Sequence, residues 1–194
     1  MSSEISAAPA AAAAAVPVAD AVASNPRIVL FYTKASVFSN FYPCKFSYHG
    51  VLMLSSEQAF VWEKAKHFLD SRTMDDIVAS KTPYTARTLG RKVKPFDAKE
   101  WDDVREQYME DVLFAKFTSS HVLRGALLDT GDALIAEASP VDRQWGIGLA
   151  AADPRAQDPA QWRGKNLLGK ALMRVRAKLA YKSEGQETKR ARVE

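Results

Sequence analysis

The chain has 194 residues, of which 47% are hydrophobic, and it carries a formal net charge of +4. Its single cysteine, Cys44, excludes an intrachain disulfide, so nothing in the sequence requires an oxidising compartment. The first 26 residues contribute −2 and the last 13 contribute +1, which leaves +5 for residues 27–181, a mild basic bias compatible with a phosphorylated or nucleic-acid ligand.

The two ends of the chain differ in composition from the middle. Residues 1–26 are rich in alanine, contain no Arg or Lys, and predict a disordered lead rather than a signal peptide, transit peptide or membrane span. Residues 182–194 predict a disordered polar tail, in which Lys189-Arg190-Ala191-Arg192 is either a nuclear address or simply solvated. We therefore expect one domain over 27–181 and an intracellular location, cytoplasmic and/or nuclear.

The domain opens with a β-branched and aromatic segment, residues 27–32, that predicts a strand. An aromatic loop, residues 38–43, follows it. This loop is either a hydrophobic plug with a turn or the rim of a ligand site. In the second interpretation, Ser39 and Asn40 offer hydrogen bonds to the ligand and Tyr42 offers a ring face.

A hairpin and a helix are predicted next. Residues 45–54 form the hairpin, with His49-Gly50 as a two-residue turn that places glycine where a positive φ is needed. Ser55 is a favourable N-cap for a helix over 56–69, and Gln58 stands three residues later, as in a capping box.

Two charged residues of this helix fall on its apolar face. Glu57 and Lys64 share that face and lie two turns apart, about 10 Å along the axis. The solvent face is predicted to carry Glu63, Lys66 and His67. Either Glu57 and Lys64 each find a structural salt bridge, or both point into a pocket, where burial would leave Lys64 as a neutral amine nucleophile.

Four further helices are predicted in the middle of the chain. The first three have as N-caps Thr73, Thr82 followed by Pro83, and Asp97. Lys116 lies near the C-terminal end of the long helix that Asp97 begins, where a cation favours the helix dipole. Ser119 or Ser120 begins the fourth helix, which Gly131 ends.

A strand over 134–138 leads into an irregular loop, residues 139–149. Glu137 interrupts the apolar run of the strand and points either into a pocket or to solvent from a sheet edge. In the loop, Asp142 can accept hydrogen bonds or stabilise positive charge, and Trp145 can stack on a sugar or a base. The alternative for this loop is a tight turn around a core tryptophan.

Glycines recur where the backbone could approach a ligand closely. Gly146 and Gly148 follow the loop tryptophan, and Gly169 lies in the first turn of the last predicted helix, where glycine is unfavourable unless another group approaches. Asn166 is the N-cap predicted for that helix. The helix N-terminus beside Arg163-Gly164-Lys165 suits a phosphate, and a capped helix with solvated basic residues explains the same pattern.

Five segments in this order resemble the YbiA-like, or NADAR, domain. The resemblance spans about residues 29–180 and leaves both tails outside. The segments are Phe38 to Pro43, Ser56 to Phe60 with Glu63-Lys64-Ala65, Leu89-Gly90-Arg91, Glu137 to Gly148, and Gly164 to Gly169. Each segment is short, and the specificity lies in their occurring together in the family's order.

The resemblance implies an α+β fold, a compact, mainly α-helical single domain with a small antiparallel β-sheet. It also implies a hydrolase acting on N-glycosyl bonds that cleaves between ribose C1′ and an amine nitrogen, with no cofactor, metal or membrane partner. Two substrate classes are associated with the family. The first, preferred here, is ADP-ribose on guanine bases of nucleic acid; the second is the phosphorylated ribosylaminopyrimidine intermediates of riboflavin synthesis.

The resemblance and the residues together predict a site with Lys64, Glu57 and Asp142 as catalytic groups. The predicted substrate-binding residues are Ser39, Asn40, Tyr42, Glu137, Trp145, Gly146, Gly148, Asn166 and Gly169. In one mechanism, Lys64 forms a Schiff base with the ring-opened ribose while Glu57 or Asp142 moves protons. In the other, Asp142 stabilises an oxocarbenium-like cation, Glu57 activates water and Lys64 only binds phosphate. A non-catalytic ADP-ribose reader is a third alternative.

Overall fold

The computed structural model describes the backbone of residues 26–190 and the side chains of residues 26–181. The predicted lead, except Pro26, lies outside the described residues, as do residues 191–194 and the side chains of the candidate nuclear address. In chain order the described elements are β1 (Ile28–Phe31), β2 (Phe46–Tyr48), β3 (Val51–Met53), α1 (Ser56–His67), α2 (Ser71–Ala79), α3 (Pro83–Gly90), α4 (Ala98–Thr118), α5 (His121–Leu128), β4 (Leu134–Glu137) and α6 (Leu167–Arg190). Two 3-10 turns, Pro154–Gln157 and Pro159–Gln161, precede α6.

The described strands form two separate pairs. β2 and β3 pair antiparallel, which confirms the small antiparallel sheet, and His49 and Gly50 both adopt the positive φ expected of the turn between them. β1 and β4 pair in parallel, with Ile28 opposite Leu134 and Phe31 opposite Glu137. A parallel pair needs a long crossover, supplied here by everything from β2 to α5, so strand patterns alone did not reveal this second pair.

Helix α1 is central, because α2, α3 and α4 all pack against it. Burial on nearly every side contradicts the predicted solvent face. Glu63 is buried, and its Oε1 lies 3.0 Å from His49 Nε2 and 3.4 Å from Lys66 Nζ. His67 Nδ1 is hydrogen-bonded to the Tyr108 hydroxyl at 2.9 Å. The β2–β3 turn and α4 cover this face, and neither contact is encoded in the period of α1.

The N-terminus of α1 is capped as predicted, with one difference. Ser55 Oγ accepts from the Gln58 backbone amide at 3.2 Å. The Gln58 side chain reaches back to the Leu54 amide at 2.7 Å instead of the cap residue, and its Nε2 donates to the Ile77 and Ser80 carbonyls. One side chain therefore fastens the start of α1 to the end of α2.

The predicted starts of the following helices are mostly confirmed. Thr82 with Pro83, Asp97 and Ser120 are the N-caps of α3, α4 and α5. The prediction for α2 was wrong by three residues, because Asp70 is the cap and its Oδ1 accepts from the Thr73 amide at 3.0 Å. Thr73 thus donates its backbone amide to the cap and is not the cap residue itself.

The role predicted for Lys116 was wrong. Its side chain is fully buried, and Nζ donates to the Ser39 carbonyl at 3.0 Å instead of facing the end of its own helix. The ammonium lies between the rings of Tyr42 at 5.5 Å and Phe117 at 5.2 Å. Lys116 therefore attaches the aromatic loop to α4.

Helix α6 packs closely on β4. A Cβ at Gly169 would lie 2.0 Å from the Ile135 carbonyl oxygen, so only glycine permits this approach. Asn166 precedes the helix, but its side chain does not act as the predicted cap: Nδ2 donates to the Ile135 carbonyl and Oδ1 accepts from the Glu137 amide. The helix also continues to Arg190, beyond the domain end predicted at 181.

The main core lies between the helices, and a smaller cluster lies beyond the parallel strand pair. The alternation of β4 divides them, since Ile135 faces the main core while Ala136 joins Ile147 and Leu149 in the smaller cluster. Among the helices that the structure describes, none is long and apolar enough to cross a lipid bilayer.

Candidate active site

A cavity of about 190 Å³ opens among α1, α3, α4 and the two irregular loops. Its polar lining consists of Asn40, Glu57, Lys64, Arg87, Arg91, Glu137 and Asp142. Its apolar walls include Phe41, Phe60, Val61, Trp101, Met109, Trp145 and Leu168. The structure thus brings Glu57, Lys64, Glu137, Asp142 and Trp145, which are far apart in the sequence, to one place.

Glu57 enters the cavity from the first turn of α1. Its backbone amide donates to the Asn40 carbonyl at 3.0 Å, and its side chain is only 11% exposed. Burial raises the pKa of Glu57 to about 7; the nearby Arg87 partly offsets this and the negative charge of Asp142 adds to it. Because Arg87 Nε is 4.0 Å from Glu57 Oε1, the ion pair is too long to hold the carboxyl fully ionised.

Glu137 stands at the end of β4, where the parallel pairing with β1 aims it at the cleft. Its backbone amide is held by Asn166 Oδ1 at 3.2 Å. Burial raises the pKa of Glu137 to about 7, and the negative charges of Asp142 and Glu57 contribute to the shift. Of the two orientations open from the sequence, the structure shows the one that faces the pocket.

Asp142 is fixed by the loop that carries it. Its Oδ1 accepts from the Gln144 and Trp145 amides, both at 2.8 Å, which closes a turn around the carboxylate. Trp145 then lines the cavity with its ring edge-on to Phe60, the centroids 5.2 Å apart. Asp142 is therefore the third carboxyl group of the cavity, and its negative charge adds to the burial that raises the pKa of the other two.

Lys64 has no carboxylate within ion-pair distance among the described residues, so the salt bridge allowed by the sequence is not formed. Its Nζ donates to the Gly90 carbonyl at 3.0 Å and lies 3.9 Å from the centroid of the Phe96 ring. Burial lowers the pKa of Lys64. Burial and the lack of a carboxylate partner disfavour the charged amine, whereas the Gly90 carbonyl and the face of the Phe96 ring stabilise it.

Sequence reasoning gave no site role to Arg87, which lies in α3, or to Arg91, which follows it and was noted only as part of a family segment. Gly90, the last residue of α3, is the sequence signal that could have revealed these arginines. A Cβ there would lie 2.6 Å from Val61 Cβ, so this glycine lets α3 sit directly on α1. That close contact carries both guanidinium groups to the rim of the cavity.

Two predicted binding residues of the aromatic loop lie behind the cavity and do not line it. Ser39 is 2% exposed, and its Oγ accepts from the Phe41 amide at 3.1 Å. Tyr42 faces the buried Lys116 ammonium. Asn40 does line the cavity, and its Oδ1 is buried without a hydrogen-bond partner in the protein, which leaves it available to a ligand.

The predicted glycines meet protein atoms. A Cβ at Gly146 would lie 2.9 Å from the Asp142 and Glu137 carbonyl oxygens, and Gly148 has a φ of +69°. Gly169 packs on β4, and both amide atoms of Asn166 are engaged there. These residues shape the loop and the strand end, and their contact with substrate stays a prediction.

Two depressions adjoin the cavity and share Arg87 and Asp142 with it. The first, of about 710 Å³, is the basic groove, lined also by Arg143, Trp162, Arg163 and Lys165. The second, of about 370 Å³, is the aromatic shelf, whose apolar lining is Tyr32, Phe41, Tyr84 and Val141. Among the described residues, no group of three or more His, Cys, Asp or Glu side chains is arranged to hold a metal ion.

Comparison with known proteins places this chain in a family. A family model described as the NADAR domain matches residues 30–180. Protein irg-1 of Caenorhabditis elegans is 35% identical over 172 residues, which cover 80% of this chain and 81% of that protein. N-glycosidase YbiA of Escherichia coli is 34% identical over 157 residues, which cover 79% of this chain and 89% of that protein.

A further relative is the riboflavin biosynthesis protein VVA0006 of Vibrio vulnificus, 30% identical over 141 residues that cover 73% of this chain and 35% of that protein. The solution structure of Escherichia coli YbiA superposes with a TM-score of 0.68 at 31% identity, covering 82% of this chain and 89% of that one. The chain therefore belongs to the NADAR domain family.

Proposed function

We propose that this protein is an N-glycosidase that removes ADP-ribose from guanine bases of nucleic acid. The coarser assignment, a hydrolase acting on N-glycosyl bonds, rests on family membership and on relatives named N-glycosidase. The finer assignment rests on the cavity and on the family resemblance. A nucleic-acid substrate also agrees with the expected intracellular location, cytoplasmic and/or nuclear.

One observation carries the chemistry: a lysine amine without a carboxylate partner among the described residues lines the same small cavity as two carboxyl groups of pKa about 7. A carboxyl group with this pKa exchanges protons readily at neutral pH and can serve as acid or base. A lysine whose pKa is lowered by burial is a competent nucleophile toward a carbonyl or imine carbon. These are the groups that transimination of an amine-linked sugar requires.

In the proposed mechanism, the ribose ring opens to give an imine between C1′ and the base nitrogen. Lys64 Nζ adds to C1′ to give an aminal, and Glu57 or Asp142 carries one proton from the lysine nitrogen to the base nitrogen. A protonated carboxyl group then gives the base nitrogen a second proton, the bond between C1′ and that nitrogen breaks, and the base leaves as its amine while Lys64 stays on C1′ as a protonated imine. Water then adds to C1′ of the lysine-linked imine and releases the sugar as its aldehyde, which restores the amine. Glu137 is equally placed to carry the protons.

The competing mechanism is direct displacement through an oxocarbenium-like transition state. There Asp142 stabilises the cation, Glu57 activates water and Lys64 binds phosphate. In either mechanism, the basic groove with Arg163 and Lys165 suits the phosphate groups of the substrate.

A second substrate class, the phosphorylated ribosylaminopyrimidines of riboflavin synthesis, is supported by the relative named a riboflavin biosynthesis protein. Its sugar carries phosphate and an amine-linked ring, so the same cavity chemistry applies. A reader that binds ADP-ribose without cleaving it is the remaining candidate, and the three carboxyl groups around the cavity argue against it, since binding alone does not need them.

The test uses the purified protein with two substrates, an oligonucleotide carrying ADP-ribosylated guanine and a ribosylaminopyrimidine phosphate, each with and without borohydride. We expect cleavage of the first, and a reduced sugar adduct on Lys64 by intact mass and peptide mapping. Lys64→Arg should lose the adduct and slow turnover by more than about 100-fold. Lys66→Arg, on the same helix but paired with Glu63 outside the cavity, is the matched control.

Each other outcome decides between the alternatives. Near-normal turnover of Lys64→Arg without an adduct would exclude the Schiff base and favour displacement. Cleavage of the pyrimidine substrate alone would replace the proposed substrate. Tight binding without cleavage of either substrate would make the protein a reader.

A further inference from the structure

The aromatic shelf exposes large side chains side by side. Tyr32 is 46% exposed, Tyr84 is 62% exposed and Val141 is 84% exposed, and all three line the same depression together with Phe41. A single exposed apolar side chain is ordinary, but a cluster around a concave surface indicates a binding site.

The shelf is continuous with the cavity. Phe41, Arg87, Glu137 and Asp142 line both depressions. A group that rests on the shelf therefore lies beside Glu137 and Asp142, at the edge of the cavity that Lys64 lines.

The rings are arranged to receive a flat ligand. The centroids of Phe41 and Tyr84 lie 4.9 Å apart with their planes at 59°, and the Arg87 guanidinium carbon lies 5.7 Å from the Phe41 centroid. Aromatic faces and an arginine plane are the surfaces on which unstacked nucleobases rest. A sugar or a phosphate has no comparable flat face.

Charge distinguishes the shelf from the basic groove. The groove is lined by four basic side chains and one carboxylate, whereas the shelf is lined by two basic side chains and two carboxylates. A ribose carries its base at C1′ and its phosphate at C5′, at opposite ends of the ring. With the phosphate drawn to the groove, the base is directed to the shelf, where the positive and negative side chains balance.

We propose that the aromatic shelf of Tyr32, Phe41, Tyr84 and Val141 is the subsite for the planar heterocyclic base that leaves the sugar. This assignment rests on the proposed function for its sugar chemistry. It makes Tyr84, from the first turn of α3, a specificity-determining residue, and it orients the substrate across the cavity with its base at one end and its phosphate at the other.

The test compares Tyr84→Ala, Tyr84→Phe and Tyr32→Ala with Tyr181→Ala, a more exposed tyrosine on α6 that lines a different depression. Steady-state kinetics with the substrate that the wild-type protein cleaves, and calorimetric titration with guanosine and with the aminopyrimidine base, are measured for each. We expect Tyr84→Ala to raise KM and weaken binding of the matching base by about 5- to 100-fold. Tyr84→Phe keeps the ring and should restore most of the affinity, and Tyr181→Ala should match the wild type.

The experiment distinguishes an incorrect assignment of the shelf from an incorrect proposed function. If the wild-type protein cleaves its substrate but Tyr84→Ala and Tyr32→Ala keep KM and base affinity within twofold, the shelf does not bind the base. If the wild-type protein cleaves neither substrate but binds a base in a Tyr84-dependent way, the shelf assignment stands and the glycosidase is excluded. Absence of base binding in a non-cleaving wild-type protein overturns both.

Discussion

At the scale of single residues, the cavity depends on carboxyl groups that raise one another's pKa. Glu57 comes from α1, Glu137 from the end of β4 and Asp142 from the following loop. Burial raises the pKa of Glu57 and of Glu137 to about 7, and the negative charge of Asp142 adds to both shifts, so the two glutamates retain protons near neutral pH. Proton transfer at the site is therefore a property of the cluster.

Asp142→Asn should lower the pKa of both Glu57 and Glu137. The amide keeps an oxygen that can accept from the Gln144 and Trp145 amides, so the turn survives, while the negative charge that raises both pKa values is removed. Carbon-13 NMR titration of the carboxyl signals should show both midpoints moving from about 7 toward ordinary carboxyl values. Any activity that needs protonated Glu57 or Glu137 should then be lost at a lower pH than in the wild-type protein.

A carboxylate remote from the cavity provides the control. Asp103→Asn, at a side chain 69% exposed on α4, should leave the titration midpoints of Glu57 and Glu137 unchanged. Unchanged midpoints in Asp142→Asn itself would mean that burial alone raises the two pKa values.

At the scale of elements, glycines determine how closely helices approach their neighbours, and through them where the site residues lie. Gly90 lets α3 sit on α1 and carries Arg87 to the cavity, and Gly169 lets α6 sit on the strand that ends in Glu137. The sequence marks such positions as unfavourable for a helix but does not identify the group that approaches.

Gly169→Ala should destabilise the fold, because its Cβ would lie 2.0 Å from a backbone oxygen of β4 that cannot move without shifting the strand. We expect a loss of about 1–3 kcal/mol or more in the free energy of unfolding, measured by urea denaturation. Gly125→Ala in α5 is the matched control: it has no heavy atom within 4 Å, and should stabilise the protein by about 0.5–1 kcal/mol. Equal effects of the two substitutions would show that packing on β4 does not explain Gly169.

At the scale of the whole molecule, Lys116 joins the long helix α4 to the loop that supplies Ser39 and Asn40. It is fully buried, and no carboxylate pairs with it among the described residues. Burial lowers the pKa of Lys116 from 10.5 to about 8. The folded protein thus holds this proton less tightly than the unfolded chain does.

The free energy of unfolding should therefore rise between about pH 8 and pH 10.5 and be lower below that window, where both states are protonated. The lysine accounts for on the order of 3 kcal/mol of that rise. Lys116→Met should abolish this part of the pH dependence in urea denaturation series. Lys99→Met, at a side chain 91% exposed, should retain the rise in unfolding free energy over this pH range. If the unfolding free energies of the wild type and Lys116→Met change with pH in parallel, Lys116 is not the source of the rise.

The sequence by itself determined the local features whose signals lie within a few residues. The hairpin turn at His49-Gly50, the cap at Ser55 and the starts of α3 and α4 follow from short-range hydrogen bonds and backbone preferences. Glu57 and Lys64 are charged residues on an apolar helix face, and this pattern together with the family resemblance predicted that they belong to the site. The structure finds both in one cavity.

Tertiary structure alone decided which surfaces those elements cover. Helical periodicity predicts solvent for Glu63 and helix position predicts a dipole interaction for Lys116, yet segments remote in sequence bury both. The parallel pairing of β1 with β4 and the arrival of Arg87 at the cavity depend in the same way on long-range packing. Periodicity reports the faces of one helix or strand, whereas burial depends on neighbours that the local sequence does not encode.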